Sequence, residues 1–101
     1  MENWRNGGMI RFGIIGTNWI TDRFIEAARE SGRFALTAVY SRTESKGREF
    51  ADKHGAAHAY TDLQAFASSE AFDAVYIASP NSLHAEQAVA CMNAGKHVLC
   101  E

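Results

Sequence analysis

Apolar residues recur along the chain in short clusters, and their spacing changes from one segment to the next. Ile10 to Gly16 (IRFGIIG) and Ala35 to Ser41 (ALTAVYS) are brief runs of branched and aromatic residues bounded by polar positions or glycine, and each predicts a buried strand. Between them Ile20, Phe24, Ile25 and Ala28 return at helical intervals, with Gly32 placed to end the helix in a left-handed cap. A second helix is expected over about Glu44 to His54, stopped in the same way by Gly55. A short strand near Ala57 to Tyr60 follows. Then comes Thr61-Asp-Leu-Gln64, a capping box in which Thr61 and Gln64 satisfy the free donors of a brief helix. Ala74 to Ser79 (AVYIAS) is apolar almost throughout, as a central parallel strand covered on both faces is. Pro80 ends it. From Asn81 or Ser82 a helix carries Ala85, Ala88, Val89 and Met92 on one stripe, and Gly95 closes it before a last strand, His97 to Cys100.

Strands and helices therefore alternate from end to end. Such alternation requires right-handed crossovers and a parallel sheet covered on both faces, so the expected fold is α/β, a doubly wound Rossmann-type sheet truncated after its fifth strand. Residues 1–8 read as a disordered leader, with Met9 a candidate natural start. The chain stops at Glu101, on the tip of the fifth strand, without a helix to cover it. Residues 9–101 thus read as one incomplete domain of a longer protein, and the uncovered strand predicts self-association into a homo-oligomer.

Composition narrows the class. With 47% hydrophobic and 22% charged residues among 101, the chain is an ordinary globular domain able to bury a core. A net charge of -2 argues against a nucleic-acid partner. No apolar run approaches the ~20 residues of a membrane-spanning helix, and the polar, glycine-rich start is no secretory signal. Cys91 and Cys100 form no CxxC and sit in apolar runs, so both are expected as reduced core thiols of a cytoplasmic protein. His54 and His58 lie four apart with a helix-ending glycine between them and no obvious partner, which argues against a metal site. Ser79, His84 and Asp73 lack the GxSxG elbow of a hydrolase triad.

In a doubly wound sheet the ligand sits beyond the carboxyl ends of the strands, where strand order reverses. That draws attention to four segments: Gly16 to Ile20, Ser41 to Lys46, Ser79 to His84, and Glu101. In the first, GIIGTNWITDRF turns from strand to helix at Gly16, as a phosphate-binding loop does, and the helix start is expected to aim free N–H groups and its positive dipole end at a pyrophosphate. The glycine pattern is broken, however. GxGxxG needs glycine at 18 and glycine or alanine at 21, where the chain has Asn18 and Thr21. Asn18 is read as tolerating left-handed geometry and offering its amide to phosphate, and Thr21 as pushing the helix slightly outward. The same turn is equally compatible with a plain junction in which Asn18 is an N-cap and nothing binds. Trp19 is expected to cover the loop or pack under it.

The second strand bears on which dinucleotide would fit. Selection of NAD usually places a carboxylate at its end, whereas NADP avoids the acid and attracts arginine. Here Tyr40-Ser41-Arg42-Thr43 is followed by Lys46. Ser41 and Thr43 are placed to donate to a 2′-phosphate, and Arg42 to fork onto it and stack on adenine. NADP is therefore favoured, with NAD the alternative.

FGIIGTNWI, AVYSRT, Tyr60-Thr61-Asp62, AVYIASPNSLH and AGKHVLCE, in this order and spacing, resemble the N-terminal domain of the Gfo/Idh/MocA oxidoreductases over about residues 9 to 101. The resemblance implies a hydride-transferring enzyme of sugars, polyols or related carbonyl compounds. It implies cofactor contacts from Gly16, Thr17, Asn18, Trp19 and Ile20 to the pyrophosphate, and from Ser41, Arg42, Thr43 and Lys46 to the adenosine phosphate. Ser79, Pro80, Asn81 and His84 would lie on the nicotinamide side, and Glu101 at the nicotinamide ribose. Glu101 matches the first position of the family's Glu-Lys-Pro motif, so the catalytic lysine is expected after it and no catalytic residue within this chain. The 101 residues alone would then be inactive. A non-enzymatic dinucleotide sensor, or a scaffold that binds nothing, are the alternatives.

Overall fold

A computed structural model of the chain describes residues 9–79 and 81–100, with Asn81 described by its backbone alone. The expected leader, Pro80 and Glu101 lie outside the described residues. Five strands, β1 (Ile10–Ile15), β2 (Phe34–Tyr40), β3 (His58–Tyr60), β4 (Ala74–Ile77) and β5 (His97–Cys100), alternate with four helices: α1 (Trp19–Ser31), α2 (Glu44–His54), α3 (Leu63–Ser68) and α4 (Asn81–Asn93). All strand pairs are parallel, in the order β3-β2-β1-β4-β5. This is the expected Rossmann-type sheet, and the order reverses at β1, between β2 and β4.

Alternation along the strands gives each face its own core. Phe12, Ile14, Val39 and Tyr76 meet Ile25 and Ala28 of α1 and Phe50 and Ala51 of α2. Ile15, Ala38, Val75 and Ile77 meet Phe66 and Ala67 of α3, Phe72, and Cys91 of α4. On the first face the ring of Phe24 stacks on Tyr76, centroids 4.0 Å apart. On the second, space is tight over Gly13, where a Cβ would stand 2.9 Å from the Phe66 ring. Gly32 and Gly55 end α1 and α2 in the left-handed conformation, as their spacing predicts.

Three local expectations change, and Lys96 takes a role that the sequence reading did not assign. The cap of α3 is Asp62, whose carboxylate accepts from the Gln64 N–H at 3.1 Å, so the Thr61/Gln64 box does not form. Aspartate is the better N-cap and stands one residue nearer the helix. In α4 the expected stripe faces largely outward: Val89 is 50% and Met92 54% exposed, while Gln87 and Cys91 are buried. Cys91 is a core thiol, but Cys100 is exposed on the edge strand. Lys96, from the motif AGKHVLCE, serves the fold. Its ammonium donates to the carbonyls of Ser69 and Phe72 and lies 4.4 Å from the centre of the Phe72 ring, tying the start of β5 to that of β4. Burial holds its pKa below the usual lysine value.

Candidate functional site

Beyond the carboxyl ends of β1, β2 and β4 lies a cleft of about 430 Å³. Eight residues singled out in the sequence line it together: Gly16, Thr17, Asn18, Ser41, Arg42, Thr43, Lys46 and Ser79. Asn18 and Arg42 thus share one cavity, although the chain separates them by a whole helix and strand.

The floor is set by Gly16. Its φ of 108° is closed to ordinary side chains, and a Cβ there would stand 3.0 Å from the backbone carbon and oxygen of Ala78. The β1–α1 turn therefore presses directly on the end of β4. Asn18 is not left-handed. It is extended (φ -126°, ψ -176°) and acts as the N-cap of α1, its Oδ1 accepting from the N–H groups of Ile20 and Thr21. Its Nδ2 donates to Ala78 O at 3.0 Å. Thr21 closes a reciprocal box, accepting from the Asn18 N–H at 3.0 Å, and is fully buried, so it seals the turn instead of pushing the helix out. Three backbone donors of the helix start are consequently used internally. The Trp19 N–H is the one left without a partner in that turn among the described residues. The expected array of free N–H groups is thus reduced, while the dipole end remains.

On the far wall Ser41 is buried, its Oγ accepting from the Thr43 N–H at 3.4 Å. Gly47 lets α2 approach it, since a Cβ at 47 would be 3.1 Å from that of Ser41. Thr43 caps α2 by position but makes no side-chain cap bond, which leaves its hydroxyl free of the helix. Arg42 and Lys46 are exposed and form no ion pair among the described residues. No carboxylate lines the cleft among those residues.

Other predicted positions fall elsewhere. Trp19 does not pack under the loop; it is 69% exposed and lines an adjoining groove between α1 and α2 with the loop residues Thr17 and Asn18 and with Asp22, Phe50 and Lys53. The Ile20 side chain packs on the core. His84 does not line the cleft, and its Nε2 is buried without a partner among the described residues. His54, weighed as a metal ligand, instead donates from Nε2 to Asp22 Oδ1 at 2.7 Å, where Lys53 also pairs at 3.3 Å. Asn81 begins α4; Pro80 and Glu101 are outside the described residues. Sequence reading missed Ile15, Tyr40, Leu83 and Gln87 in the lining. For Gln87 a signal existed, because it lies one helical turn beyond Leu83 and one before Cys91.

A family description, the GFO_IDH_MocA oxidoreductase family with an NAD-binding Rossmann fold, matches residues 10–101. The chain belongs to this family. It is 69% identical over 93 residues to scyllo-inositol 2-dehydrogenase (NADP(+)) of Bacillus subtilis (strain 168), a match covering 92% of this chain and 28% of that relative. Among solved structures, an NAD binding oxidoreductase from Klebsiella pneumoniae superposes with a TM-score of 0.86 at 31% identity, over 92% of this chain and 27% of that one. A 3-ketoreductase from Actinomadura kijaniata, solved with NADP and TDP-benzene, gives 0.84 at 32% identity, over 92% and 29%. The chain thus spans less than a third of the length of these relatives, and it corresponds to the NAD-binding Rossmann domain of the Gfo/Idh/MocA family. The site suits such a group: among the described residues, Arg42 and Lys46 form no ion pair and line a cleft that no carboxylate lines. No helix among the described residues is long and apolar enough to cross a membrane.

Proposed function

We propose that this domain binds NADP(H) in preference to NAD(H), and that the protein it belongs to transfers hydride to or from a CH–OH carbon of a sugar, polyol or related carbonyl compound. The observation that carries the cofactor preference is the end of β2. Among the described residues Arg42 and Lys46 line the cleft with no ion pair of their own and no carboxylate lines it, an environment that favours an added phosphate. A 69% identical relative that bears NADP(+) and scyllo-inositol in its name supports both halves of the reading.

In this reading Gly16, Thr17 and the amide side of Asn18 hold the pyrophosphate, and the α1 dipole favours its charge. Ser41, Arg42, Thr43 and Lys46 hold the 2′-phosphate, with Ser79, Pro80, Asn81 and His84 toward the nicotinamide and Glu101 at its ribose. The dinucleotide supplies hydride chemistry when bound; the residues present here bind and orient it. The proton donor, the lysine expected after Glu101, is not among these 101 residues, and substrate would be held by the remainder of the protein. Separate calorimetric titrations with NADPH and NADH test the cofactor reading. Tighter binding of NADPH is expected; preference for NADH would overturn the role of Arg42, and binding of neither would favour a scaffold. Turnover of inositols and aldoses by the full-length protein tests the substrate class.

A further inference from the structure

Gln87 stands on the second turn of α4, lines the cleft and is only 5% exposed. A polar side chain buried this far normally has its hydrogen-bonding atoms matched. Only half of this amide is. Oε1 accepts from Ser79 Oγ, whereas Nε2 has no hydrogen-bond partner among the described residues. Nε2 is not sealed away either, since the unpartnered side-chain atom closed off from solvent among those residues is His84 Nε2. Gln87 itself is one of the residues that line the cleft.

The surroundings indicate what the amide is kept for. Ser79 fixes its orientation: with the hydroxyl donating to Oε1, the N–H bonds of Nε2 remain for a ligand. Leu83, one turn earlier on α4, adds an apolar wall beside it. The cations Arg42 and Lys46 come from the β2–α2 side of the cleft. Cations suit phosphate; a neutral donor beside a leucine suits a flat ring with acceptor nitrogens. We propose that Gln87 reads the adenine base of the dinucleotide, donating from Nε2 to a ring nitrogen, with Ser79 as the positioning residue that keeps the amide turned that way. The proposal rests on the dinucleotide reading above.

Adenosine 2′,5′-bisphosphate, which carries the base and both adenosine phosphates without nicotinamide, is the probe, and an 11.1 kDa chain is well suited to solution NMR. In ¹⁵N-labelled protein the Gln87 side-chain amide protons should shift on binding and give NOEs to adenine H2 or H8. Gln87→Met, similar in shape and without a donor, should weaken binding of the bisphosphate by about tenfold, the equivalent of one buried hydrogen bond. Ser79→Ala should weaken it by less. NOEs to ribose protons alone, an unmoved Gln87 amide in a saturated complex, or unchanged affinity of a folded Gln87→Met variant would each overturn the proposal. Should that variant fail to fold, the NOE pattern of the parent chain decides. If the parent bound neither NADPH nor the bisphosphate, the dinucleotide reading itself would fall; binding with a silent Gln87 sinks this inference alone.

Discussion

Asn18 Nδ2 donates to the carbonyl oxygen of Ala78 at 3.0 Å, bridging the β1–α1 turn and the end of β4 across sixty residues of chain. The same side chain caps α1 through its oxygen. Where a second glycine would merely leave room, asparagine builds a strut between the two loops that border the cleft. Replacing it separates the two roles. Asn18→Ala should lower stability by about 1–2 kcal/mol, through loss of cap and strut, read as a fall in the midpoint of thermal unfolding. Asn18→Asp keeps a capping oxygen but loses the donor and puts negative charge beside the phosphate site. It should fold well and bind NADPH more weakly; affinity equal to the parent's would contradict the placement of the pyrophosphate.

Gly16→Ala is expected to be costly for both fold and site. The backbone there is left-handed, and the added methyl meets backbone atoms of Ala78 and Ser79 that cannot swing aside. About 1–3 kcal/mol of stability should go, together with most NADPH binding. Chemical denaturation and titration on one preparation measure both.

Cofactor preference should follow the β2–α2 loop. Arg42→Ala is predicted to weaken NADPH by about 10- to 100-fold, the loss of charge-assisted bonds to phosphate, and to leave NADH nearly unchanged. Lys46→Ala should act the same way but less strongly, because a lysine offers a point charge instead of a fork. Equal losses for the two dinucleotides would rule out a 2′-phosphate contact.

Asp22 links the helices on the first face. Burial raises its pKa, but the hydrogen bonds from His54 and Lys53 outweigh that and hold it below 3.8. A carboxylate depressed in the folded state stabilises above its unfolded pKa, and the contribution is lost as pH falls through the folded value. Asp22→Asn should therefore cost about 1–2 kcal/mol near neutrality, with the difference from the parent closing below about pH 4. Denaturant midpoints measured at both pH values supply the check, and a gap that persisted in acid would point to packing instead of charge.

The two thiols should differ sharply in reactivity. Burial pushes Cys91 up to about 11, whereas Cys100 is exposed. One equivalent of iodoacetamide label is expected rapidly at pH 8, on Cys100, with Cys91 modified only on unfolding. Mass mapping identifies the site.

Much of the scaffold was legible because it rests on local periodicity. The buried runs at Ile10 and Ala74 are strands, and glycines 32 and 55 adopt the left-handed caps their spacing implies. The alternation then left few sheet orders open, and the crevice followed from the carboxyl ends of the strands. What escaped depended on contacts between distant segments. The outer side of α4 looked like its core because valine and methionine outrank glutamine and cysteine in hydropathy, yet the small Cys91 packs under the sheet and Gln87 finds Ser79. Asp62 displaced Thr61 through a difference of one residue in helix start.

The residue pattern by itself thus determined the order of strands and helices, the cleft's place at the strand ends and the cations on its β2–α2 side, since these depend on spacing and side-chain type along the chain. Only the tertiary structure decided what the altered glycine loop does. Asn18 and Thr21 cap one another, and the spare amide hydrogen-bonds Ala78, because folding brings that carbonyl within 3.0 Å. A bond between residues sixty positions apart has no trace in local spacing.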